Sequence, residues 1–89
     1  MHNFKIEKRL HNKLKKLFKK DKKRYDIVWK KIKEIISSQD IEHYKNLRFP
    51  MNMFKRVHID RISVLIFKYN KQDDEVNFYD LDHHDKIYK

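Results

Sequence analysis

The spacing of apolar residues changes character once along this chain, and that change restricts the folds open to it. Up to Ile36 the apolar positions recur at helical intervals. Leu10, Leu14, Leu17 and Phe18 make one i, i+4, i+7, i+8 stripe, and Tyr25, Val28, Trp29, Ile32, Ile35 and Ile36 make a second. Beyond Pro50 the period is two. Met53, Lys55, Val57 and Ile59 then face one way, with Asn52, Phe54, Arg56 and His58 on the other side. Ser63 to Tyr69 is nearly continuous apolar sequence, as expected of a central strand covered on both sides. Asn70 to Asp74 reads as a polar turn, and Glu75 to Leu81 as the returning strand of an antiparallel hairpin.

The remaining segments complete an α+β order. Phe4 and Ile6 alternate with polar neighbours and suit a short first strand; Asp21 is placed to cap between two helices, and Ser37-Ser38 to end the second. Ile41, Tyr44 and Leu47 fit a helical turn or an irregular connection, which Pro50 stops. The expected fold is a short strand, a helical hairpin and a three-stranded antiparallel run, forming a curved sheet with helices on one face, all within one domain over residues 1–89. If Val57 and Ile59 pack against Leu14, Leu17, Trp29 and Ile32, then Arg56 and His58 point to the opposite face, expected to be open. The chain has no glycine, which excludes a Gly-rich phosphate loop of the P-loop or dinucleotide-binding kind.

Charge points to a polyanionic partner. The formal net charge is +10 over 89 residues, and all of it lies in residues 1–36, which hold fourteen Lys or Arg against four Asp or Glu; residues 37–89 hold nine of each. Lys13, Lys15, Lys16, Lys19, Lys20, Lys22 and Lys23 read as a lysine stripe on the first helix that would dock on RNA phosphates, or simply as a solvated face; Lys55 joins the expected RNA-binding set. No cysteine is present, which removes disulfides, thiolate zinc sites and cysteine nucleophiles. No apolar run is long enough to span a bilayer and the start lacks a secretory pattern, so a cytoplasmic protein with no membrane partner is expected.

Two groups carry chemistry. Asp80-Leu81-Asp82-His83-His84-Asp85-Lys86-Ile87-Tyr88 packs carboxylates, imidazoles and a phenol into nine residues after a strand, and Arg56-Val57-His58 lies on an earlier strand. Cleaving an RNA phosphodiester through its own 2′-hydroxyl needs a base, an acid for the leaving 5′-oxygen and positive charge on the transition state. His58 and His84 would form the acid–base pair, in either order. Arg56 would hold the scissile phosphate, Asp85 would orient a histidine or act as the base, and Tyr88 would stack on a base or donate a proton. The scheme needs no metal and no cofactor. A metal held by His83, His84 and Asp85 is the rival chemistry, although adjacent histidines on extended chain diverge. Taken singly, His58 also fits a half-buried structural histidine, Arg56 an ion pair with Asp80 or Asp82, and Tyr88 an anchor for the tail.

The element order, size and basicity resemble the RelE/ParE superfamily of toxin–antitoxin toxins over essentially the whole chain, and more specifically the RelE and YafQ ribosome-dependent mRNA endonucleases. Three stretches carry the likeness: Tyr44-Lys45-Asn46-Leu47; Lys55-Arg56-Val57-His58-Ile59 followed by Val64-Leu65-Ile66-Phe67; and His83-His84-Asp85-Lys86-Ile87-Tyr88. The resemblance implies that His58 matches a second-strand catalytic histidine, and that His84 and Tyr88 match a histidine and an aromatic four residues apart at the end of the last strand. It implies a cognate antitoxin, expected to be acidic and partly helical, with the ribosome and mRNA as targets. The chain departs from the pattern at Val64, where RelE-type enzymes have arginine, at Phe49, where YafQ-like toxins have histidine, and at Ile62, where they have an acid; Asp60 is close to the last. The ParE branch shares the fold but targets gyrase without this cluster, so a non-catalytic gyrase-type toxin and a plain basic nucleic-acid-binding module stand as the alternatives.

Overall fold

The computed structural model describes residues 1–83. Its elements follow the change of period: β1 (Asn3–Ile6), α1 (Lys8–Lys20), α2 (Lys22–Ile36), a 3₁₀ turn (Ile41–His43), β2 (Lys55–His58), β3 (Ser63–Asn70) and β4 (Glu75–His83). Leu10 and Leu14 of α1 and Val28, Ile32, Ile35 and Ile36 of α2 pack on Leu65, Phe67, Val76 and Phe78 of the sheet, forming one apolar layer between helices and strands. Among the described residues no helix is long and apolar enough to cross a membrane.

A single residue makes the corner of the helical hairpin. The Asp21 N–H donates to Leu17 O to end α1, and its carboxylate accepts from Arg24 N at 3.1 Å to cap α2. Lys22 and Lys23 therefore open α2 and are not part of an α1 stripe. Phe18, whose spacing assigned it to the core, is half exposed. The Asp21 corner returns α2 alongside it, and its ring rests edge-on against Tyr25, centroids 5.0 Å apart, and not on the sheet.

The strands lie in the order β1-β4-β3-β2. The run β2-β3-β4 is antiparallel as expected, while β1 adds a parallel edge to β4, pairing Asn3 with Glu75 through Ile6 with Phe78. Parallel pairing needs a crossover, which the helical hairpin supplies. β2 starts at Lys55 and not at Asn52, because residues 48–53 leave the strand path as a loop. Val57 and Ile59 pack against the helix-side core, so alternation sends Arg56 and His58 to the outer face of the sheet. That face is less bare than alternation alone suggested: Val64 and Ile66 are buried there, as suits the unbroken apolar run of β3.

The parallel edge is fastened by His2. Its Nε2–H donates to Ser38 O at 2.6 Å and its Nδ1–H to Asp74, which also accepts the Tyr69 hydroxyl at 2.8 Å. With both ring nitrogens donating, the imidazolium is the favoured form: the Asp74 bond, then the Ser38 carbonyl, raise the His2 pKa above 6.5 against a smaller opposing effect of burial. The same His2 bond, then that of Tyr69, hold Asp74 below 3.8. A raised imidazole pKa stabilises the fold below its unfolded value and ceases to do so as pH rises through the folded value; a lowered carboxylate pKa stabilises above its unfolded value and fails as pH falls through the folded one. The melting-temperature deficit of His2→Ala should therefore be largest between 3.8 and 6.5 and shrink on both sides, measured by thermal unfolding across that range.

Candidate functional site

The outer face is organised in cross-strand rows. Arg56 pairs with Ile66 and His58 with Val64; Ile66 pairs with Asp80 and Val64 with Asp82. Directly opposed residues share a face, so Arg56, Ile66 and Asp80 form one row and His58, Val64 and Asp82 the next. In each row the β2 residue lies two strand spacings from a carboxylate, roughly 10 Å between backbones. Arg56 is half-buried and His58 exposed.

The carboxylates reach this face because β4 carries a register shift opposite Ile66 and Phe67. Phe78 pairs with Phe67 on the core side and Asp80 with Ile66 on the outer side, leaving Tyr79 as the extra residue of a bulge. Tyr79 lies against Phe54, centroids 4.9 Å apart. Two cations flank this pair: the Arg9 guanidinium is 5.1 Å from the Tyr79 ring and the Lys68 ammonium 5.8 Å from the Phe54 ring. Sequence spacing did not single out Phe54, Tyr79 or Arg9, because their meeting depends on the bulge.

Asp80 is almost wholly buried. Its ion-pair partners come from α1, Lys13 at 2.8 Å and Arg9 at 3.6 Å, and not from Arg56, and it also accepts from Leu81 N at 2.9 Å. Lys13 also donates to Leu81 O at 2.9 Å. β1 ends at Ile6, so this carbonyl lies on the part of the β4 edge that β1 leaves uncovered, and Lys13 caps it.

The remaining basic residues fall into two groups. Lys55 is tied into the fold, its ammonium donating to Glu42 O, Tyr44 O and Asn46 Oδ1 at 3.3, 3.0 and 2.9 Å, and Lys22 pairs with Asp26 at 2.7 Å. Lys15, Lys16, Lys19, Lys20 and Lys23 are exposed. Three of these, Lys15, Lys16 and Lys19, line a hollow of about 550 Å³ between the helices, with Leu14, Phe18, Tyr25 and Trp29 as its apolar lining. Asp60 folds back on the β2–β3 turn, accepting from Ile62 N at 2.9 Å and Ser63 N at 2.8 Å. Burial raises its pKa, but those two amides and Arg24 outweigh it and leave the carboxyl lowered. His84, Asp85 and Tyr88 lie outside the described residues.

The fold recurs in small bacterial toxins. It superposes on the metal-bound toxin from Helicobacter pylori with a TM-score of 0.79 at 20% identity, covering 99% of this chain and all of that one. YafQ from E. coli gives 0.73 at 14%, with both chains fully covered. A chain of the E. coli RelBE toxin–antitoxin complex gives 0.72 at 16%, covering 92% of this chain and 95% of that one. In sequence, the Methanocaldococcus jannaschii protein named "Putative toxin RelE4" is 48% identical over 89 residues, all of this chain and 93% of the relative. A scan against protein-family models gave no match. The architecture is thus that of the RelE-fold toxins. By its identity to the Methanocaldococcus jannaschii relative, the chain belongs to the RelE toxin family.

The Asp80 cluster yields a stability test. Lys13→Met leaves a nearly buried carboxylate with the Leu81 amide at 2.9 Å and the longer Arg9 contact as its remaining ion pair, and should destabilise the fold by about 1–3 kcal/mol. Removing both charges in Lys13→Met/Asp80→Leu should restore most of that loss. Denaturant midpoints of the two variants against wild type check it.

Proposed function

We propose that this toxin is an endoribonuclease that cuts mRNA on the ribosome, in the cytoplasm, by metal-independent acid–base chemistry through the RNA 2′-hydroxyl. The observation that carries the reading is the shared outer face of Arg56 and His58 on β2, in a chain of the RelE family. A guanidinium and an imidazole spaced two residues apart on one strand face can hold a phosphate and exchange a proton beside it. His58 and His84 serve as the acid–base pair, Arg56 neutralises the phosphorane-like transition state, Asp85 orients a histidine or acts as the base, and Tyr88 contacts a base or donates a proton.

Exposed Lys15, Lys16, Lys19, Lys20 and Lys23 supply a sequence-independent hold on ribosomal RNA, with contacts to phosphate alone. Lys13, Lys22 and Lys55 add to the positive field from positions already bonded within the fold. The partner that silences the toxin is a cognate acidic antitoxin. Support comes from the solved complexes of relatives with the same fold, YoeB–YefM of Staphylococcus aureus and RelBE of E. coli, and from the lysine-rimmed, apolar-floored hollow, whose chemistry complements an acidic amphipathic segment.

The test is cleavage of a defined mRNA by purified protein with and without a programmed ribosome. Wild type should cut only with the ribosome. Folded His58→Ala and His84→Ala proteins should each lose roughly 10²–10⁴-fold in rate, whereas neutralising Lys15, Lys16, Lys19 and Lys20 together should raise KM more than it lowers kcat. Cutting that survives both histidine substitutions would overturn the residue assignment; no cutting by wild type in a matched translation system would favour the gyrase-type alternative.

A further inference from the structure

Residues 45–56 form a braced finger with an apolar tip. At its base Arg56 N donates to Lys45 O at 3.0 Å and Leu47 N to Phe54 O at 2.9 Å, and Asn46 bridges Lys55 in antiparallel fashion. Two turns build the tip, with Met51 N bonded to Arg48 O at 2.9 Å and Phe54 N to Met51 O at 3.0 Å. The Asn46 side-chain amide staples it by donating to Asn52 O at 2.8 Å. On this held backbone Phe49 is 86% exposed, Met53 59% and Met51 42%.

Three large apolar side chains kept in water by an ordered backbone are unfavourable for the free protein and point to a ligand that covers them. The charge around the tip narrows the ligand. Between Glu42 and Asp60 the sequence has no carboxylate, while Lys45, Arg48, Lys55 and Arg56 are cationic. Phe49, the most exposed of the three, stands out from the two turns and is not packed on the fold. A projecting ring among cations suits an unpaired nucleobase, whose π-face stacks on the aromatic while adjoining phosphates meet the positive charge. Phe54, Arg56 and His58 then continue from the finger along one face of β2, so nucleic acid held at the tip would run on to the outer face.

We propose that the Arg48–Met53 tip is a single-stranded RNA contact in which Phe49 stacks on an unpaired base. This rests on the RNA target inferred above, and the test separates the two. The full chain is titrated against a single-stranded RNA oligonucleotide of 2′-O-methyl riboses, which has no free 2′-hydroxyl for cleavage, carrying 2-aminopurine, whose fluorescence falls on stacking.

Wild type quenches the probe. Phe49→Ala weakens binding by roughly tenfold or more and abolishes the quench, and Phe49→Trp restores both. The salt dependence of binding is unchanged in Phe49→Ala, whereas Arg48→Gln lowers its slope by about one. Because Phe49 is so exposed, Phe49→Ala keeps the wild-type melting temperature. Equal affinity of wild type and Phe49→Ala, or equal affinity for a duplex of the same sequence, overturns the proposal; a tip that seats a protein instead would give the first of these results. Phe49-dependent binding by a toxin that leaves mRNA uncut on the ribosome sustains the tip and refutes the nuclease. Ribosomal cleavage without Phe49-dependent binding does the reverse.

Discussion

β4 must satisfy two neighbouring strands and two faces of opposite chemistry, and a single extra residue lets it do so. Strict alternation from Val76 and Phe78 would continue to Asp80 and Asp82, placing two carboxylates on the helix side of the sheet, in the apolar layer that holds Leu65 and Phe67. Burying a charge in an apolar layer is expensive without close partners. The bulge at Tyr79 turns Asp80 outward opposite Ile66 and returns Leu81 to the core side opposite Leu65. The core stays apolar, and the rows that place carboxylates across from Arg56 and His58 are a consequence. α1 then depends on the same shift, since Lys13 and Arg9 reach Asp80 only where the bulge has put it.

The absence of glycine is resolved by side chains that take on its usual work. The β3–β4 turn needs a left-handed residue, and Asp74 supplies it with φ 49°; a short polar side chain tolerates that region better than a branched one. Asn70 braces the same turn, its amide donating to Asp73 at 2.9 Å. Asp60 closes the β2–β3 turn with its carboxylate on two amides, and Asp21 makes the helical corner. Tight turns here are specified by hydrogen bonds to carboxylates and amides and not by backbone freedom, and several of those carboxylates also neutralise neighbouring cations: Asp60 pairs with Arg24 at 3.2 Å.

Local pattern therefore made much of this fold legible. The helical stripes, the Asp21 cap, the β3–β4 hairpin and the outward placement of Arg56 and His58 follow from period and alternation, because those features are decided within a few residues. What escaped is decided at long range. β1 was readable as a strand, but its parallel pairing with β4 depends on contacts about seventy residues away, such as His2 with Asp74. Phe18 had the right spacing for the core and is half exposed, because the corner ends α1 and offers Tyr25 as its partner. The bulge leaves no mark in composition, so the side of the sheet that Asp80 and Asp82 occupy was invisible. For the site itself, the sequence placed His58 and Arg56 together on one face, while the partners of Asp80 were hidden among lysines that all looked alike.

That hidden role of Lys13 alters how the charge of the chain should be understood. A phosphate approaching the outer face would meet a carboxylate at Asp80, and two unit charges 4 Å apart near a protein surface interact by about 4 kcal/mol. Arg9 and Lys13 cancel that opposition from within the fold, with the Lys13 ammonium at 2.8 Å. The positive field of Arg56 and Lys68 is then not cancelled locally by Asp80. Of the basic residues in the N-terminal segment, Arg9 and Lys13 are paired with Asp80, and others remain exposed on the helices, where the proposed contact with RNA phosphates would be made. A uniform lysine stripe would perform only the second task; the division between bonded and exposed lysines couples the helical hairpin to the chemistry proposed for the sheet.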